Sequence, residues 1–324
     1  MSYKVLITEE IHRLGTKLLE DNGYEIRMGT GIAEDTLLRE IEDCDAILTR
    51  NAIIGERVMR ASDKLKVIAM HGVGVDSIDV AAATRLGIQV VNAADSNKVS
   101  VAEFTIGLIL NLAKNIPLYD RGLRGGNWSI RKTIGMDVEG RTLGIVGMGN
   151  IGQLVAKKAA LGLGMKVIAH KRDLSAAVPM EGVDYTSDLD AVVSAADFLS
   201  LHVPGSPSTA GMIGARELAL MKPRAYLINT ARGEVVDNKA LYEALVEHRI
   251  AGAAIDVFPG EIPDMDDPLL HLDNVIVTPH TAAFTAQSIA KMSLHSAMGV
   301  DEVLSGRTPS WPVNRIQSVS PIRV

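Results

Sequence analysis

The stretch GRTLGIVGMGNIG, residues 140–152, combines a short apolar run with closely spaced glycines. Gly147, Gly149 and Gly152 match the pattern G-x-G-x-x-G, which joins a strand to a helix in dinucleotide-binding folds. The first glycine permits a tight turn, the second lets backbone N–H groups approach a pyrophosphate, and the third lets the helix pack closely on the sheet. The positive end of that helix then faces the phosphates. Glycine-rich turns are common, but the order strand, motif, helix, strand favours a dinucleotide site over a structural turn.

Short apolar runs alternate with amphipathic stretches along most of the chain, a pattern typical of parallel sheets covered by helices. The apolar runs predict strands at 3–7, 24–28, 46–50, 66–70 and 88–92, and a second series at 141–147, 165–170, 196–203, 224–230, 253–258 and 274–279. Helices are predicted at 11–22, 33–42, 56–61, 76–86, 97–115 and 285–304, and a linker or arm at 117–140. A chain of 324 residues is too long for one typical core, so we expect an α/β protein of two domains.

The composition excludes several classes of function. A net charge of −6 argues against a nucleic-acid-binding surface or an anionic-membrane anchor. Cys44 is the single cysteine, so no internal disulfide can form, and no Cys/His cluster offers a metal site. The N-terminus lacks a signal-peptide pattern, and the longest apolar run, 101–113, contains Glu103 and is too short to span a bilayer. We expect a soluble cytoplasmic protein that needs no metal.

Ionisable side chains follow three of the predicted strands. Arg232, in INTARGEVVD, lies on a loop beyond a strand, where its planar guanidinium could bind a carboxylate or carbonyl oxygen. A surface salt bridge would explain Arg232 equally well. Glu261, in DVFPGEIP, and His280, in VTPHTAAFT, follow the next two strands. A histidine can protonate a ketone oxygen, and a neighbouring carboxylate would favour its charged form and fix its tautomer.

Other polar residues have structural explanations. Asp237 precedes the helical pattern NKALYEALVEH and is expected to be its N-cap. His202 ends a strand and is expected to be structural rather than catalytic. The remaining candidates among the histidines are expected on helical or loop surfaces, namely His12, His248, His271 and His295.

The stretch VIAHKRD, residues 167–173, ends the second strand of the predicted dinucleotide-binding fold. In proteins that prefer NAD, an acid about 20 residues after the glycine motif binds the adenosine ribose. Lys171 stands at that position, flanked by His170 and Arg172, and Asp173 comes too late to replace the acid. A solvated turn would also explain the cations but not the missing acid. The sequence therefore predicts a preference for NADP over NAD.

Segments along the whole chain resemble the D-isomer-specific 2-hydroxyacid dehydrogenases. They are HGVGVDSIDVAAATRLGI (71–88), SVAE (100–103), GRTLGIVGMGNIG (140–152), LHVPGSPSTAGMI (201–213), MKPRAYLINTARGEVVD (221–237), AAIDVF (253–258) with Glu261, and NVIVTPHTA (274–282). The resemblance implies a flavodoxin-like substrate domain, residues 1–98 and 286–324, an inserted Rossmann dinucleotide-binding domain, residues 99–285, and a cleft for the reaction. It also implies an NAD(P)-dependent oxidoreductase acting on CH–OH donors, which converts a small 2-oxo acid to the D-2-hydroxy acid.

The same resemblance implies roles for individual residues. Arg232, Glu261 and His280 would form a catalytic triad. The substrate would be held by the backbone around Val73 and Gly74, with Arg50, Asn97 and Arg232 nearby. The residues expected to contact the cofactor are Gly147, Gly149, Asn150, Ile151, Gly152, His170, Lys171, Arg172, Val203, Pro204, Thr209, Thr230, Ala231, Asp256 and Ala282.

Within the family, the phosphoglycerate dehydrogenases look most similar, but two departures count against that activity. Their GRAG stretch supplies an arginine for the substrate phosphate, whereas Met70 and His71 stand at the aligned positions here. Their longer members carry a C-terminal regulatory domain, which is not expected after the closing helix of this chain. The TPHTAAFT loop also lacks a tryptophan that is common in glycerate-type members. We therefore expect hydroxypyruvate or glyoxylate as substrate, with 3-phosphoglycerate dehydrogenation as the alternative.

The family resemblance also includes proteins with two other functions. A nicotinamide-sensing corepressor would keep the triad, but the sequence has no basic tail or evident peptide-docking segment. Formate dehydrogenases pair their histidine with glutamine, so Glu261 argues against them. The resemblance also predicts a homodimer whose interface lies on the dinucleotide domain, where the helix 97–115 and the arm with Trp128 offer apolar surface. The alternative is that this helix is buried within its own subunit.

Overall fold

The protein is described by a computed structural model that covers residues 2–260 and 262–316. It divides into two compact units, the first formed by residues 2–97 and 284–316 and the second by residues 98–260 and 262–283. Each unit contains one parallel sheet with helices on both faces. The predicted α/β fold class is confirmed.

The elements alternate between strand and helix along most of the chain. The strands are β1 (Lys4–Ile7), β2 (Glu25–Met28), β3 (Ala46–Thr49), β4 (Val67–Met70), β5 (Gln89–Val91), β6 (Thr142–Val146), β7 (Lys166–His170), β8 (Val183–Thr186), β9 (Phe198–Leu201), β10 (Tyr226–Asn229), β11 (Gly252–Ile255) and β12 (Val275–Val277). The helices are α1 (Arg13–Asp21), α2 (Glu34–Glu40), α3 (Glu56–Met59), α4 (Val80–Arg85), α5 (Lys98–Lys114), α6 (Ile116–Arg124), α7 (Asn150–Lys157), α8 (Leu189–Ala195), α9 (Ala215–Leu220), α10 (Asn238–Val246) and α11 (Ala286–Leu304).

The sheet of the first unit has the strand order β2-β1-β3-β4-β5, which is the order of flavodoxin-like folds. Successive residues of each strand point to opposite faces and enter two separate cores. Val5 and Ile7 pack in the core that contains Leu19 of α1 and Val300 of α11, whereas Leu6 packs in the opposite core. The closing helix α11 thereby covers one face of the sheet that the N-terminal strands form.

The segment after α11 lies along β5. Pro312 forms an antiparallel bridge with Val91. The side chain of Asn314 accepts hydrogen bonds from the Val90 N–H (2.7 Å) and from Nε2 of Gln89 (2.8 Å), and it donates one to the carbonyl oxygen of Ile88 (2.9 Å). These bonds cover an edge strand whose backbone groups would otherwise be open.

The sheet of the second unit has the order β12-β11-β10-β9-β6-β7-β8, and all of its strands are parallel. Leu143 and Ile145 of β6 face the core formed with α5 and α7, and Val146 faces the core formed with α8, α9 and α10. The strand order reverses between β6 and β9, and open α/β sheets bind ligands beyond the carboxyl ends of the strands at such a point. The loops after β6, β7, β9, β10, β11 and β12 all leave the sheet at this edge.

Two segments differ from the sequence prediction. Part of the predicted arm is the helix α6, which begins after Asn115 adopts a left-handed conformation at φ 53°. Pro117 lies in the first turn of α6, where its missing N–H has no intrahelical partner to lose. The strand β8 was not predicted, because it is a short and partly exposed edge strand without a clear apolar alternation. The other predicted strands are observed, with ends shifted by a few residues.

Within the described part of the chain, no single helix is both long and apolar enough to cross a bilayer. Only α5 and α6 together have that length and apolar character, and a bend of 61° separates them. No group of three or more His, Cys, Asp or Glu side chains is placed to share a metal ion within residues 2–260 and 262–316.

Candidate functional site

The loop between β6 and α7 is packed so closely that two of its glycines have no room for a side chain. Gly147 has φ 103°, and a Cβ there would lie 2.7 Å from the backbone of His202 after β9. A Cβ on Gly152 would lie 2.1 Å from the carbonyl oxygen of Gly147. Gly149 differs, because nothing lies within 4 Å of the position its Cβ would take. The first and third glycines bring the backbone segments together, and the second leaves open space above them.

That open space suits a pyrophosphate. Gly149 is the N-cap of α7, and as a glycine it has no side chain that could cap the helix. The first N–H groups of a helix have no intrahelical acceptor, and the end of the helix carries partial positive charge. Asn150 and Ile151 supply the first of these N–H groups. The residues present therefore fit the phosphates of a dinucleotide.

Two cations follow β7. The Lys171 N–H donates to the carbonyl oxygen of Thr186 on β8 (2.9 Å), which continues the pairing of β7 and β8 beyond the strand end. Arg172 is exposed, and Lys171 is half-buried. The Asp173 carboxylate accepts hydrogen bonds from the N–H (2.9 Å) and Oγ (2.6 Å) of Ser175, so it caps the short turn that follows.

His170, the last residue of β7, belongs to the same corner of the sheet. Burial lowers its pKa, and the positive charge of Arg172 lowers it further, while Asp188 acts in the opposite direction. The Asp188 carboxylate caps α8 by accepting from the N–H groups of Asp190 (2.9 Å) and Ala191 (3.2 Å). The corner therefore presents two permanent cations beside an imidazole that favours its neutral form.

Hydroxyl groups fix the loops after β9 and β10. Oγ1 of Thr209 donates to the carbonyl oxygen of Pro204 (2.7 Å), which closes the loop that begins at Val203. Oγ1 of Thr230 lies 3.1 Å from Oγ1 of Thr105 on α5, and both side chains are buried. These contacts hold the predicted cofactor residues of both loops in place.

The loop that carries Arg232 is fixed by the last residue of β10. The Asn229 side chain accepts from the Ala231 N–H (3.0 Å) and donates to the carbonyl oxygen of Arg232 (2.9 Å). A Cβ on the following residue, Gly233, would lie 2.0 Å from the backbone carbon of Phe258. The backbone of Arg232 is therefore held between the end of its own strand and the loop after β11.

A buried carboxylate holds the loop that carries His280. Asp256 is fully buried and accepts three hydrogen bonds, from Oγ1 of Thr278 (2.6 Å) and the N–H groups of Thr281 (2.9 Å) and Ala282 (3.0 Å). The sequence prediction assigned Asp256 and Ala282 to cofactor contact, whereas the structure gives them this additional positioning function. The sequence signal for this positioning function is an acidic residue, Asp256, inside the apolar run AAIDVF.

His280 has a left-handed backbone, with φ 52°, which is uncommon for a residue other than glycine. Its N–H donates to the carbonyl oxygen of Asp256 (2.7 Å), so both the backbone and the side chain of Asp256 hold this turn. Arg232 and His280 thus occupy fixed loops after β10 and β12, the two neighbours of β11. Glu261, the third predicted member of the triad, lies outside the described residues.

Asp237 and His202 were both predicted to have structural roles, and the structure shows the contacts of each. Asp237 accepts from the Ala240 N–H (3.0 Å) at the start of α10, which confirms it as an N-cap. The His202 ring bonds Oγ of Ser200 through Nε2 (3.0 Å), and burial lowers its pKa to about 4. A neutral imidazole bonded within its own strand suits the structural role expected of His202.

The residues expected to hold the substrate carboxylate lie in the first unit, beyond the carboxyl ends of its strands. The Glu9 carboxylate accepts from the N–H groups of Arg50 (3.2 Å) and Asn51 (2.8 Å) and so fixes the loop after β3. The Arg50 guanidinium donates to the carbonyl oxygen of Glu10 (3.2 Å). Glu9 was not among the predicted site residues.

The loop after β4 is fixed by residues that follow β5. Nδ2 of Asn92 donates to the carbonyl oxygen of Val73 (2.7 Å), and the Ala93 N–H donates to that of Gly72 (2.8 Å). Asn97 follows β5, and its Oδ1 is buried without a hydrogen-bond partner among the described residues. Residues after β5 therefore fix the backbone at Gly72 and Val73, directly before Gly74.

Comparison with known proteins connects these loops to one family. The family model described as "D-isomer specific 2-hydroxyacid dehydrogenase, NAD binding domain" matches residues 106–282. A D-3-phosphoglycerate dehydrogenase of Methanocaldococcus jannaschii is 42% identical over 96% of this chain and 59% of its own length. A glyoxylate reductase of Korarchaeum cryptofilum is 37% identical over 97% of both chains. The chain thus spans about 60% of the length of the phosphoglycerate dehydrogenases that it matches.

A solved structure agrees with both units of the fold. The crystal structure of an NADPH-dependent glyoxylate/hydroxypyruvate reductase from Sinorhizobium meliloti, in complex with NADP and malonate, is similar with a TM-score of 0.85. It shares 30% sequence identity, and the likeness covers 97% of each chain.

Replacing Gly149 separates cofactor binding from folding. We expect Gly149→Ala to keep the wild-type thermal stability, because the new methyl group meets no protein atom within 4 Å. It should weaken NADPH binding by about tenfold or more, since a loss of about 1.4 kcal/mol follows when the backbone cannot approach the pyrophosphate. Fluorescence titration of NADPH measures the change. Gly162→Ala, at an exposed glycine that also has open space, is the matched control. Equal affinity of Gly149→Ala and wild type would contradict this site.

Proposed function

Because the chain belongs to the family of D-isomer-specific 2-hydroxyacid dehydrogenases, we propose that it reduces a small 2-oxo acid to the D-2-hydroxy acid. The observation that carries the proposal is the shared edge of the second sheet. The glycine loop after β6 fits a dinucleotide there, and Arg232 and His280 stand on fixed loops after β10 and β12. A bound nicotinamide would supply the hydride. Reduction is the direction that we propose for the cell.

In this proposal each side chain has a separate task. His280 donates a proton to the oxygen of the substrate carbonyl, and Glu261 orients the imidazole and favours its charged form. Arg232 anchors the substrate and polarises its carbonyl through charge-assisted hydrogen bonds. Asp256 keeps the His280 turn in its left-handed conformation through the three bonds that its carboxylate accepts.

We propose hydroxypyruvate or glyoxylate as the substrate class, held at its carboxylate by Arg50, Asn97 and the backbone of Val73 and Gly74. Met70 supports an unphosphorylated substrate, because this buried and apolar side chain cannot neutralise a phosphate. Relatives of the chain include both a glyoxylate reductase and D-3-phosphoglycerate dehydrogenases. Dehydrogenation of 3-phosphoglycerate is therefore the alternative, and comparing hydroxypyruvate with its phosphorylated form separates the two.

We propose NADP as the preferred cofactor. Lys171 and Arg172 place two permanent cations at the end of β7, and the acid of NAD-binding proteins is missing there. A phosphate on the ribose carries close to two negative charges, so charge-assisted bonds to it are worth about 1.5–3 kcal/mol each. Asp173 does not replace the missing acid, because it follows Lys171 by two positions and its carboxylate accepts the hydrogen bonds of the next turn. We also propose a cytoplasmic location, because the single cysteine, Cys44, is a buried free thiol, which suits a reducing compartment.

Substitution of His280 tests the proposed proton donor. We expect His280→Ala and His280→Asn both to lower kcat by roughly 10²–10⁴, the usual contribution of general acid–base catalysis. Asn tolerates the left-handed backbone better than Ala does, so His280→Asn removes the acid while preserving the turn. Steady-state kinetics with hydroxypyruvate and NADPH provide the measurement, and His271→Asn, at an exposed histidine, is the control. Near wild-type kcat in His280→Asn would refute the assignment, whereas a nicotinamide-sensing corepressor would show no turnover in any variant.

Removal of the two cations tests the cofactor preference. Lys171→Ala combined with Arg172→Ala should raise KM for NADPH about tenfold or more, because the bonds to the extra phosphate are lost. KM for NADH should change little. Lys166→Ala combined with Arg224→Ala removes the same charge from two exposed positions at the amino ends of β7 and β10, the opposite edge of the sheet, and should affect neither KM. An equal rise in KM for NADPH and for NADH in the Lys171→Ala, Arg172→Ala variant would show that the two cations do not bind the extra phosphate.

We propose further that the protein is a homodimer through the segment 116–134 of the second unit. Four apolar side chains of this segment are exposed, namely Ile116 (50%), Leu123 (57%), Trp128 (66%) and Ile134 (90%). Such a cluster marks a surface that another protein covers, and a second copy is the occupant that the family resemblance indicates. The inner face of α5 is buried in the core of its own unit and does not contribute.

Light scattering tests the dimer. We expect about twice the chain mass of 34.6 kDa at micromolar concentration. Trp128→Lys combined with Ile134→Lys should shift the protein to the monomer mass, because two charges would then need to be desolvated in the interface. A monomer mass for the wild-type protein would exclude the proposal.

A further inference from the structure

His71 is a buried histidine whose polar atoms are not used by the fold. The side chain is 6% exposed, and neither Nδ1 nor Nε2 has a hydrogen-bond partner among the described residues. Leaving a buried donor and a buried acceptor unsatisfied is unfavourable, and native structures contain few such groups. An apolar side chain of similar size would fill this position without that cost. The imidazole therefore calls for a partner that the folded chain does not supply.

The surroundings of His71 belong to the predicted substrate loops. Its N–H donates to the carbonyl oxygen of Thr49 (2.7 Å), which joins the end of β4 to the end of β3. Gly72 and Val73, which follow it directly, are held by the residues after β5. The charge of Arg50 also acts on the ring. The unsatisfied imidazole thus lies at the carboxyl edge of the first sheet, beside the backbone assigned to the substrate carboxylate.

The protonation state of His71 defines which group it can recognise. Burial, followed by the positive charge of Arg50, lowers its pKa to about 4, although the backbone of His71 itself and the charge of Glu9 act in the opposite direction. Near neutral pH the ring is therefore uncharged, with one nitrogen as donor and the other as acceptor. A hydroxyl group, which also donates and accepts, complements such a ring. A phosphate would receive only one hydrogen bond from the neutral ring and no positive charge to balance its own charge.

We propose that His71 is a specificity-determining residue that binds a hydroxyl group on C3 of the substrate, so that the substrate class is the 3-hydroxy-2-oxo acids. This inference rests on the proposed function and narrows its substrate from hydroxypyruvate or glyoxylate to hydroxypyruvate, because glyoxylate has no C3 hydroxyl. Pyruvate differs from hydroxypyruvate only by that hydroxyl and would leave both ring nitrogens unpaired. A site with buried polar groups rejects a substrate that fails to pair them.

The test compares kcat/KM for hydroxypyruvate and pyruvate, with NADPH at saturation, in the wild-type protein, His71→Leu and His71→Asn. The wild type should prefer hydroxypyruvate by about tenfold or more, and His71→Leu should abolish most of that preference while pyruvate turnover stays within about threefold. His71→Asn keeps a donor and an acceptor and should retain part of the preference. His271→Leu, at an exposed histidine, is the control and should behave as the wild type.

The outcomes separate this inference from the function on which it rests. Loss of preference in His71→Leu, with partial retention in His71→Asn, supports the assignment. An unchanged ratio in His71→Leu, or a wild type that turns over pyruvate as well as hydroxypyruvate, overturns the role of His71 and leaves 2-oxo acid reduction intact. A wild type that reduces no 2-oxo acid overturns the proposed function as well. If His71→Leu does not fold, the wild-type ratio and His71→Asn decide in the same way.

Discussion

The close approach of backbone to backbone between β6, α7 and β9 is the constraint on which the rest of the second unit depends. A Cβ on Gly147 or Gly152 would stand 2.7 Å and 2.1 Å from backbone atoms, so no rotamer change could relieve the overlap. With glycine at both positions, α7 begins directly above the point where the strand order reverses. Its first N–H groups, which have no intrahelical acceptor, then lie at the edge where the loops after the parallel strands also meet. The dinucleotide site follows from this one packing requirement.

A second fixed point stands at the other end of the same edge. Asp256 is buried within the sheet, and its carboxylate is satisfied by three donors from the loop that follows β12. A buried carboxylate is unfavourable unless such bonds compensate for its lost hydration. The bonds that stabilise Asp256 also hold His280 at φ 52°, which an isolated loop would not maintain. Stability and the placement of a reactive imidazole are therefore coupled through one residue.

Structural features that depend on local sequence patterns could be predicted from the sequence. Features that depend on contacts between distant residues could not. The parallel strands, the glycine loop and the strand-end positions of Arg232 and His280 follow from alternation and spacing, which neighbouring residues determine. The sequence predicts an irregular arm where α6 lies, because a proline such as Pro117 is compatible both with the end of one helix and with the first turn of the next. The bonds from Asp256 to residues 278–282 join different strands, and no local pattern records them. The unsatisfied ring of His71 likewise appears only when its surroundings are known.

The most direct test of the account is the rate at which the wild-type protein oxidises NADPH and NADH, measured in parallel with hydroxypyruvate as substrate. The absorbance of the reduced nicotinamide reports both reactions under identical conditions. We expect turnover with both cofactors and a kcat/KM for NADPH that exceeds that for NADH by about tenfold or more, because of the added charge-assisted bonds. An equal or higher kcat/KM with NADH, or no turnover with either cofactor, would contradict it.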